Sequence, residues 1–341
     1  MEAVSEVLLR NRQALGNGPF YLVNPAPDHL VCELQESGRE IKVFTQDYGH
    51  CHWFEELGIS CEFGVFPAVP TRSDLVILRL AREKERFESL LKAVATSIPS
   101  NARLWVVGEK RAGIQSAPKR IAKFFDTVRK KDSARHCSLF EALGPSADTT
   151  FSTDALFSSW PLVFADRSLE ICSLPGVFAH GRLDRGTELL LDAATVLSFS
   201  GDVLDFACGA GVSGASLIAA NPGVTLTALD VSATALAATT ATLKRNGMSG
   251  RVVPSDGFSG LNGTFDWIVS NPPFHQGVAD DLDVAADFFR SAGTFLNEKG
   301  RILVVFNRHL PYMGWIKEYF DPVEILARNR EFCVVKATRQ R

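Results

Sequence analysis

Short apolar runs alternate along this chain with longer segments of helical periodicity. This alternation predicts an α/β protein with a largely parallel sheet. In the second half, the predicted strands are Asp202–Phe206, Val224–Leu229, Arg251–Pro254, Trp267–Ser270 and Arg301–Phe306. The predicted helices between them are Ser213–Ala220, Ala233–Asn246 and Leu282–Leu296.

The first half repeats the same rhythm, which predicts an internal duplication. The matched segments are Phe20–Val23 with Val203–Phe206 and Ile41–Asp47 with Val224–Asp230 at an offset of 183, Asp74–Ile77 with Asp266–Val269 at 192, and Arg103–Val107 with Arg301–Val305 at 198. We therefore expect two tandem Rossmann-like α/β domains, at residues 1–150 and 151–341, linked by the turn-rich stretch Gly144–Thr150.

The two copies differ at the turn after their first strand. In the second copy, Gly209 and Gly211 permit positive φ and close backbone approach, and the following helix start offers free N–H groups to a ligand. In the first copy, the turn contains Pro25 and Pro27, which lack an N–H and fix φ. We therefore expect only the second copy to bind a cofactor.

Acidic residues near the second turn indicate which cofactor this is. Asp230 ends the second strand, nineteen residues after the last glycine, where a carboxylate accepts both hydroxyl protons of a ribose. Asp205 would repel a pyrophosphate but suits the ammonium of an amino-acid moiety, which favours S-adenosylmethionine. Asp256 and Gly257 follow the third strand, where the acid accepts from the adenine amino group and Phe258 covers the ring. The alternative is that these acids only cap loops.

The motif Asn271–Phe274, of sequence Asn-Pro-Pro-Phe, follows the fourth strand directly. Consecutive prolines fix the backbone so that the Asn271 side-chain oxygen and the Pro272 carbonyl converge on one planar NH₂ group, while Phe274 stacks on its ring. Two acceptors on the amine hydrogens direct the nitrogen lone pair towards a methyl sulfonium. The pattern predicts an amine methyltransferase that reaches a flipped base. Whether His275 accepts the released proton stays open.

Composition limits the class of protein. Of the 341 residues, 46% are hydrophobic and 22% are charged, which is ordinary globular usage and excludes collagen-like or largely disordered chains. The apolar runs are far shorter than the roughly 18 residues of a membrane span, and Met1–Arg12 does not resemble a secretory signal. Seven scattered cysteines argue against a disulfide framework. We therefore expect a cytoplasmic protein without a membrane segment.

Two clusters outside these motifs raise other possibilities. His50, Cys51, His52 and Cys61 do not complete the spacing of a four-ligand zinc site, so we expect no metal. The net charge is −3, yet residues 103–135 contain ten Lys or Arg against three acids. This local excess predicts contact with an RNA backbone, the alternative being a solvated helix face.

Several motifs together resemble the RsmC-type 16S ribosomal RNA guanine-N2 methyltransferases of bacteria. They are the Asp205–Gly211 turn, Asn271–Phe274, Leu174–Phe178, Leu183–Thr187, Ser5–Arg10, Val107–Glu109, Arg111, Gly113 and Lys131–Arg135. The resemblance covers essentially the full length. It implies two tandem class I methyltransferase domains, the first degenerate and serving stability and RNA contact, the second binding S-adenosylmethionine. One departure is Ala207, where related turns often have glycine.

We therefore expect a monomeric enzyme of ribosome biogenesis that methylates the N2 amine of a guanine in 16S ribosomal RNA, in the 30S subunit. Its expected catalytic residues are Asn271, Pro272 and Phe274. Its expected cofactor-binding residues are Asp205, Gly209, Gly211, Asp230, Asp256 and Gly257. The alternatives are a guanine of 23S ribosomal RNA, an adenine-N6 or glutamine-amide substrate, and a non-catalytic RNA-binding assembly factor.

Overall fold

The computed structural model describes residues 1–272 and 279–340 of the chain, without the side chains of residues 279–284. The chain divides into two compact units, Met1–Leu156 and Phe157–Arg341. This division lies six residues after the predicted boundary at 150, because the short helical turn Asp154–Leu156 belongs to the first unit. Each unit contains a seven-stranded sheet flanked by helices.

The first unit contains seven strands and five helices in its described residues. The strands are β1 (Phe20–Val23), β2 (Ile41–Thr45), β3 (Cys61–Phe63), β4 (Leu75–Arg79), β5 (Arg103–Glu109), β6 (Phe125–Ala134) and β7 (Cys137–Pro145). The helices are α1 (Ala3–Arg10), α2 (Leu30–Glu36), α3 (Tyr48–Glu56), α4 (Lys84–Ser97) and α5 (Ala117–Ile121).

The second unit begins with a hairpin and then repeats this arrangement. The hairpin strands are β8 (Ser158–Phe164) and β9 (Arg167–Ser173). The sheet strands are β10 (Gly201–Phe206), β11 (Val224–Asp230), β12 (Arg251–Pro254), β13 (Phe265–Ser270), β14 (Leu296–Asn307), β15 (Phe320–Arg328) and β16 (Phe332–Arg339). The helices are α6 (Arg185–Ala194), α7 (Val212–Ala220), α8 (Ala233–Arg245), α9 (Ala279–Ala292) and α10 (Tyr312–Tyr319).

Both sheets have the same strand order, which confirms the predicted pair of Rossmann-like domains. The order is β3-β2-β1-β4-β5-β7-β6 in the first unit and β12-β11-β10-β13-β14-β16-β15 in the second. The first five strands of each sheet run parallel, and the remaining two add antiparallel pairings. After β12 the chain returns to the other side of β10, so strand order reverses between β10 and β13. Parallel α/β sheets bind their ligands at such a switch point, outside the carboxyl ends of the strands.

Strand register confirms the duplication and corrects one of its offsets. The residue pairing of β4 with β5 matches that of β13 with β14 when the predicted offsets are applied, 192 for β4 and 198 for β5. The second strand differs: Phe20 faces Ile41, 21 positions later, whereas Val203 faces Leu226, 23 positions later. The offset of this strand is therefore 185 instead of 183.

This correction changes which residue of the first unit corresponds to Asp230. At an offset of 185 the equivalent residue is Thr45, so the predicted match between Asp230 and Asp47 is wrong. Asp47 lies two residues beyond β2, where it caps α3: its carboxylate accepts a 2.9 Å hydrogen bond from the backbone N–H of His50. Its role is therefore local helix capping.

The central strands are buried on both faces, which explains their continuous apolar runs. Along β4, Val76 and Leu78 join one buried apolar cluster, and Leu75 and Ile77 join another. Alternate side chains therefore pack against helices on opposite sides of the sheet. Within the described residues, no helix is both long enough and apolar enough to cross a bilayer.

Candidate functional site

The glycine turn and Asn271 directly follow two neighbouring strands at the switch point of the second sheet. β10 ends at Phe206 and β13 ends at Ser270, and these two residues face each other across the sheet. The Ser270 hydroxyl donates a 2.8 Å hydrogen bond to the Phe206 carbonyl, which ties the two strand ends together. The structure thus brings the predicted cofactor turn and Asn271, the first residue of the predicted catalytic motif, to one place.

The turn after β10 has left-handed backbone at three positions. The φ angles of Ala207, Gly209 and Gly211 are 59°, 55° and 74°. A Cβ at Gly211 would lie 3.0 Å from the Thr239 methyl carbon, so the packing of α8 requires a glycine there. A Cβ at Gly209 would meet nothing within 4 Å. The turn therefore leaves open space beside its backbone, which is what a bound ligand needs.

Asp230 lies against this turn, as predicted from its place at the end of β11. One carboxylate oxygen accepts a 3.0 Å hydrogen bond from the Gly209 N–H, and the other accepts a 2.9 Å bond from the Ser232 N–H. The carboxylate therefore lies beside the open space at Gly209, where ribose hydroxyls would meet it.

Asp205 occupies a more enclosed position, below the turn. It is 2% exposed, and its carboxylate accepts a 2.9 Å hydrogen bond from the Gly214 N–H in the first turn of α7. The pKa of Asp205 is raised to about 7, mainly by burial; the Gly214 N–H opposes this shift and the nearby Asp230 adds to it. A cation close to this carboxylate would favour its ionised form.

The loop after β12 contains Asp256 and Gly257, and both are exposed. The Ser255 hydroxyl donates a 2.9 Å hydrogen bond to the Gly257 carbonyl, and a Cβ at Gly257 would meet nothing within 4 Å. Phe258, in contrast, is buried, and its ring stacks at 4.6 Å on that of Phe295. The expectation that Phe258 covers an adenine is therefore wrong, because its ring belongs to the core.

The Asn271 side chain is held by two acceptors that the sequence analysis did not identify. Its amide nitrogen donates a 3.0 Å hydrogen bond to the Asp184 carboxylate and a 2.8 Å bond to the Thr187 hydroxyl. The same Asp184 oxygen caps α6 by accepting from the backbone N–H groups of Gly186 and Thr187. Because both acceptors bind the amide nitrogen, the Asn271 side-chain oxygen is left to accept a hydrogen bond from a ligand.

The rest of this motif is described only in part. Pro272 is buried. Phe274 and His275 lie outside the described residues, so their predicted contacts remain predictions.

In the first unit, polar side chains fill the equivalent of the cofactor turn. The Asn24 side chain bonds to both the backbone N–H and the side-chain oxygen of Gln46, at 2.9 and 3.2 Å. The Arg86 guanidinium donates a further 2.9 Å bond to the Gln46 oxygen. Gln46 is 1% exposed. This network bridges the ends of β1 and β2, where the second unit has its open glycine turn.

The first unit also lacks the amide of Asn271. At the offset of 192, the equivalent residue is Arg79, which forms an ion pair with Glu2. Glu2 is the N-cap residue of α1, as Asp184 is the N-cap residue of α6. A helix cap contacts the end of the fourth parallel strand in both units, but in the first unit the contact is an ion pair without a free amide oxygen.

The basic stretch of residues 103–135 is largely paired within the first unit. Its cations contact four glutamates: Arg103, Arg129 and Lys131 with Glu141, Arg120 and Lys123 with Glu88, Arg111 with Glu109, and Arg135 with Glu6. Three of these glutamates lie outside the stretch, so its local excess of charge is smaller in the fold than in the sequence. Among residues 1–272 and 279–340 no cluster of three or more potential metal ligands is found.

Comparisons with known proteins agree with both halves of this description. Two family models match the chain: the methyltransferase small domain N-terminal model at residues 5–160, and the methyltransferase small domain model at residues 168–336. The ribosomal RNA small subunit methyltransferase C proteins of Shewanella halifaxensis and Shewanella loihica are each 36% identical to this chain over 332 residues, covering 96% of both chains.

A solved structure is similar over the same length. It is a T. thermophilus 16S rRNA N2 methyltransferase (RsmC) in complex with AdoMet and guanosine. The TM-score is 0.88 at 22% identity, and the match covers 99% of this chain and 92% of that chain. The fold of both units is therefore shared.

The buried Asp205 predicts a pH dependence of stability. Its folded-state pKa of about 7 lies above the ordinary value of about 3.9, so the folded protein holds this proton more tightly than the unfolded chain. Its contribution to stability is therefore present at acidic pH and lost as the pH rises from about 4 to about 7. Asp205→Asn lacks this titration. In equilibrium denaturation, the free energy of unfolding of the variant should rise relative to that of the wild type between pH 5 and pH 8. A difference between the two proteins that does not change with pH would contradict the assignment.

Cofactor binding should depend on Asp230 and not on the first unit. We expect Asp230→Ala to weaken S-adenosylmethionine binding about a hundredfold or more, since two hydrogen bonds to a charged group are lost. Asp47→Ala is the control, because it removes only the α3 cap, at about 1 kcal/mol of stability, and should leave the affinity unchanged. Calorimetric titration measures both, and equal losses would contradict a single cofactor site.

Proposed function

Because this chain belongs to the ribosomal RNA small subunit methyltransferase C (RsmC) family, we propose that its second unit transfers a methyl group from S-adenosylmethionine to the N2 amine of a guanine in 16S ribosomal RNA. The observation that carries this proposal is the fixed orientation of the Asn271 amide at the switch point. It leaves an oxygen acceptor beside the glycine turn, and a planar NH₂ group is the donor that suits such an acceptor.

The residues around the turn fit S-adenosylmethionine. Gly209, Gly211 and Gly257 supply backbone without side chains, and the space beside Gly209 and Gly257 is open. Asp230 would accept from the ribose hydroxyls, and the exposed Asp256 would accept from the adenine amino group. Asp205 would face the ammonium of the methionine moiety, and a cation there would keep this carboxylate ionised.

The chemistry requires that an exocyclic amine become a nucleophile. Its lone pair is normally delocalised into the guanine ring, which makes the free amine unreactive. The Asn271 side-chain oxygen and the Pro272 carbonyl would accept its two hydrogens, which localises the lone pair on nitrogen. S-adenosylmethionine supplies an electrophilic methyl carbon on a positively charged sulfur. The nitrogen–carbon bond forms as the carbon–sulfur bond breaks, the sulfur retains that electron pair, and the amine loses one proton to solvent.

The protein's part in this step is positioning and electrostatic stabilisation. Phe274 would stack on the guanine and hold it in the plane that the two acceptors require. A base inside a duplex cannot reach these two acceptors, so the guanine must be unpaired or flipped out. We infer that the monomer acts in the cytoplasm on the 30S subunit, with the first unit serving stability and RNA contact.

Methylation of ribosomal RNA in a defined reaction tests this proposal. Purified protein, S-adenosylmethionine and either 30S subunits, 16S RNA or 23S RNA are incubated, and the digested nucleosides are analysed by mass spectrometry. We expect N2-methylguanosine in 16S RNA only. Asn271→Ala should lower kcat by about two to three orders of magnitude while the cofactor Kd stays unchanged, because one acceptor of the reacting amine is lost.

The alternatives give different products in the same reaction. N2-methylguanosine confined to 23S RNA, N6-methyladenosine, or a methylated glutamine in protein would each overturn the 16S assignment. Calorimetry that shows no binding of S-adenosylmethionine to the wild-type protein would favour a non-catalytic assembly factor.

A further inference from the structure

We propose that four exposed arginines beside Asn271 bind the RNA phosphates that flank the target guanine. They are Arg185, Arg308, Arg328 and Arg330, and we call them the arginine surface. The proposal rests on the proposed function, since it concerns the RNA substrate of the same site.

Backbone contacts bring the last three arginines together at the carboxyl edge of the second sheet. Arg308 directly follows β14, and its backbone N–H donates a 2.8 Å hydrogen bond to the Glu331 carbonyl. Its guanidinium donates a 2.9 Å bond to the Asn329 carbonyl. Asn329 and Glu331 belong to the turn between β15 and β16, which also contains Arg330 and directly follows Arg328. The end of β14 and this turn therefore form one surface.

The start of α6 joins that surface to the catalytic amide. Arg185 is the first residue of α6, and its guanidinium forms a 3.0 Å ion pair with Glu331. The next residue is Gly186, where a Cβ would lie 3.3 Å from the Phe332 ring and 3.4 Å from the Asn271 amide nitrogen. The turn, the helix start and Asn271 are thus in close packing contact. A nucleotide whose base reaches Asn271 has its neighbouring phosphates within range of these arginines.

The charge of this surface suits a polyanion. Four guanidinium groups face two carboxylates, that of Glu331 and that of Asp184 at the start of α6, so this surface carries two excess positive charges. All four arginines are exposed and present planar donor forks that match phosphate oxygens. Flipping a base requires that the protein bind the RNA backbone on both sides of that base, and the exposed arginines would bind its phosphates.

Comparison with the first unit shows one difference in charge at the equivalent turns. The same two turns meet there, because the Lys110 N–H donates a 2.7 Å hydrogen bond to the His136 carbonyl. In that unit, however, Glu109 ends β5 and forms an ion pair with Arg111. The equivalent of Glu109 at the offset of 198 is Asn307, which is neutral. The second unit therefore has no acid at the position of Glu109, and the acid of its own turn, Glu331, lies between β15 and β16.

RNA binding by single variants tests the arginine surface. We expect Arg308→Ala and Arg330→Ala each to raise the KM for 30S subunits or 16S RNA about fivefold, without changing kcat at saturating RNA or the cofactor Kd. Each should also reduce the slope of log affinity against log salt concentration by about 1. The lysine variants should retain part of the affinity, because they keep the charge but lose the planar fork.

Arg251→Ala is the matched control. Arg251 is exposed and begins β12, so it lies at the amino edge of the same sheet, opposite the site. It should leave KM and the salt dependence unchanged. Thermal unfolding verifies that each variant is folded. Arg308→Ala loses the contact with Asn329; if this destabilises the protein, Arg330→Ala alone tests the proposal.

The outcomes separate this proposal from the proposed function. If the wild-type protein methylates 16S RNA and both arginine variants keep its KM and salt slope, the arginine surface is wrong and the proposed function stands. If Arg251→Ala weakens RNA binding as much as Arg330→Ala does, the effect is general charge and the surface is again wrong. If the wild-type protein methylates no ribosomal RNA, the proposed function fails, and the arginine surface fails with it.

Discussion

The interaction on which the site depends is the pair of hydrogen bonds that fixes the Asn271 amide. An asparagine side chain presents an acceptor on one side and a donor on the other, and rotation by about 180° exchanges them. With its nitrogen bound to Asp184 and Thr187, the amide offers only its oxygen to a ligand. A rotated amide would place N–H groups against an amine that itself donates. In the proposed reaction, the helix cap of α6 would thereby determine whether the end of β13 attracts or repels the reacting amine.

The two units share one fold but differ in the residues at the carboxyl ends of their equivalent strands. Both sheets have the same order and nearly the same register, so the backbone offers a switch point twice. In the first unit a buried network around Gln46 occupies one side of that point, and the Arg79–Glu2 ion pair occupies the other. The Gln46 network and the Arg79–Glu2 ion pair lie at the positions where the second unit has its open glycine turn and the Asn271 amide. In the first unit these contacts therefore contribute to stability.

Sequence alone predicted the parallel strands except the short β3, and it predicted none of the strands β6–β9, β15 and β16. The parallel strands are buried on both faces, so each gives a continuous apolar run, as in Leu75–Leu78. β15 is exposed along much of its length and contains Pro322, so its pattern is that of a loop. β6 is polar for the same reason, and its charges suggested a helix face or an RNA contact. No helix was predicted at α6; only Leu183–Thr187, at its start, was quoted as a motif of the family resemblance.

The positions of Asp230 and Asn271 in the fold were predictable, because each lies at or directly after the end of a strand. The contact between Asn271 and Asp184 joins residues 87 positions apart, and no local spacing reveals it. The two-residue error at Asp47 arose because short apolar runs align almost equally well in neighbouring registers, whereas hydrogen-bonded pairing fixes one of them.

The most direct test of the central claim compares Thr187→Val with Thr187→Ser in methyl transfer to 16S RNA. Thr187→Val removes an acceptor that orients the Asn271 amide, so kcat should fall about tenfold while the KM for RNA and the cofactor Kd stay unchanged. Thr187→Ser keeps the hydroxyl and should restore kcat, and in an Asn271→Ala background Thr187→Val should have no further effect. Equal kcat for Thr187→Val and wild type, or a full additive loss in the Asn271→Ala background, would contradict the account.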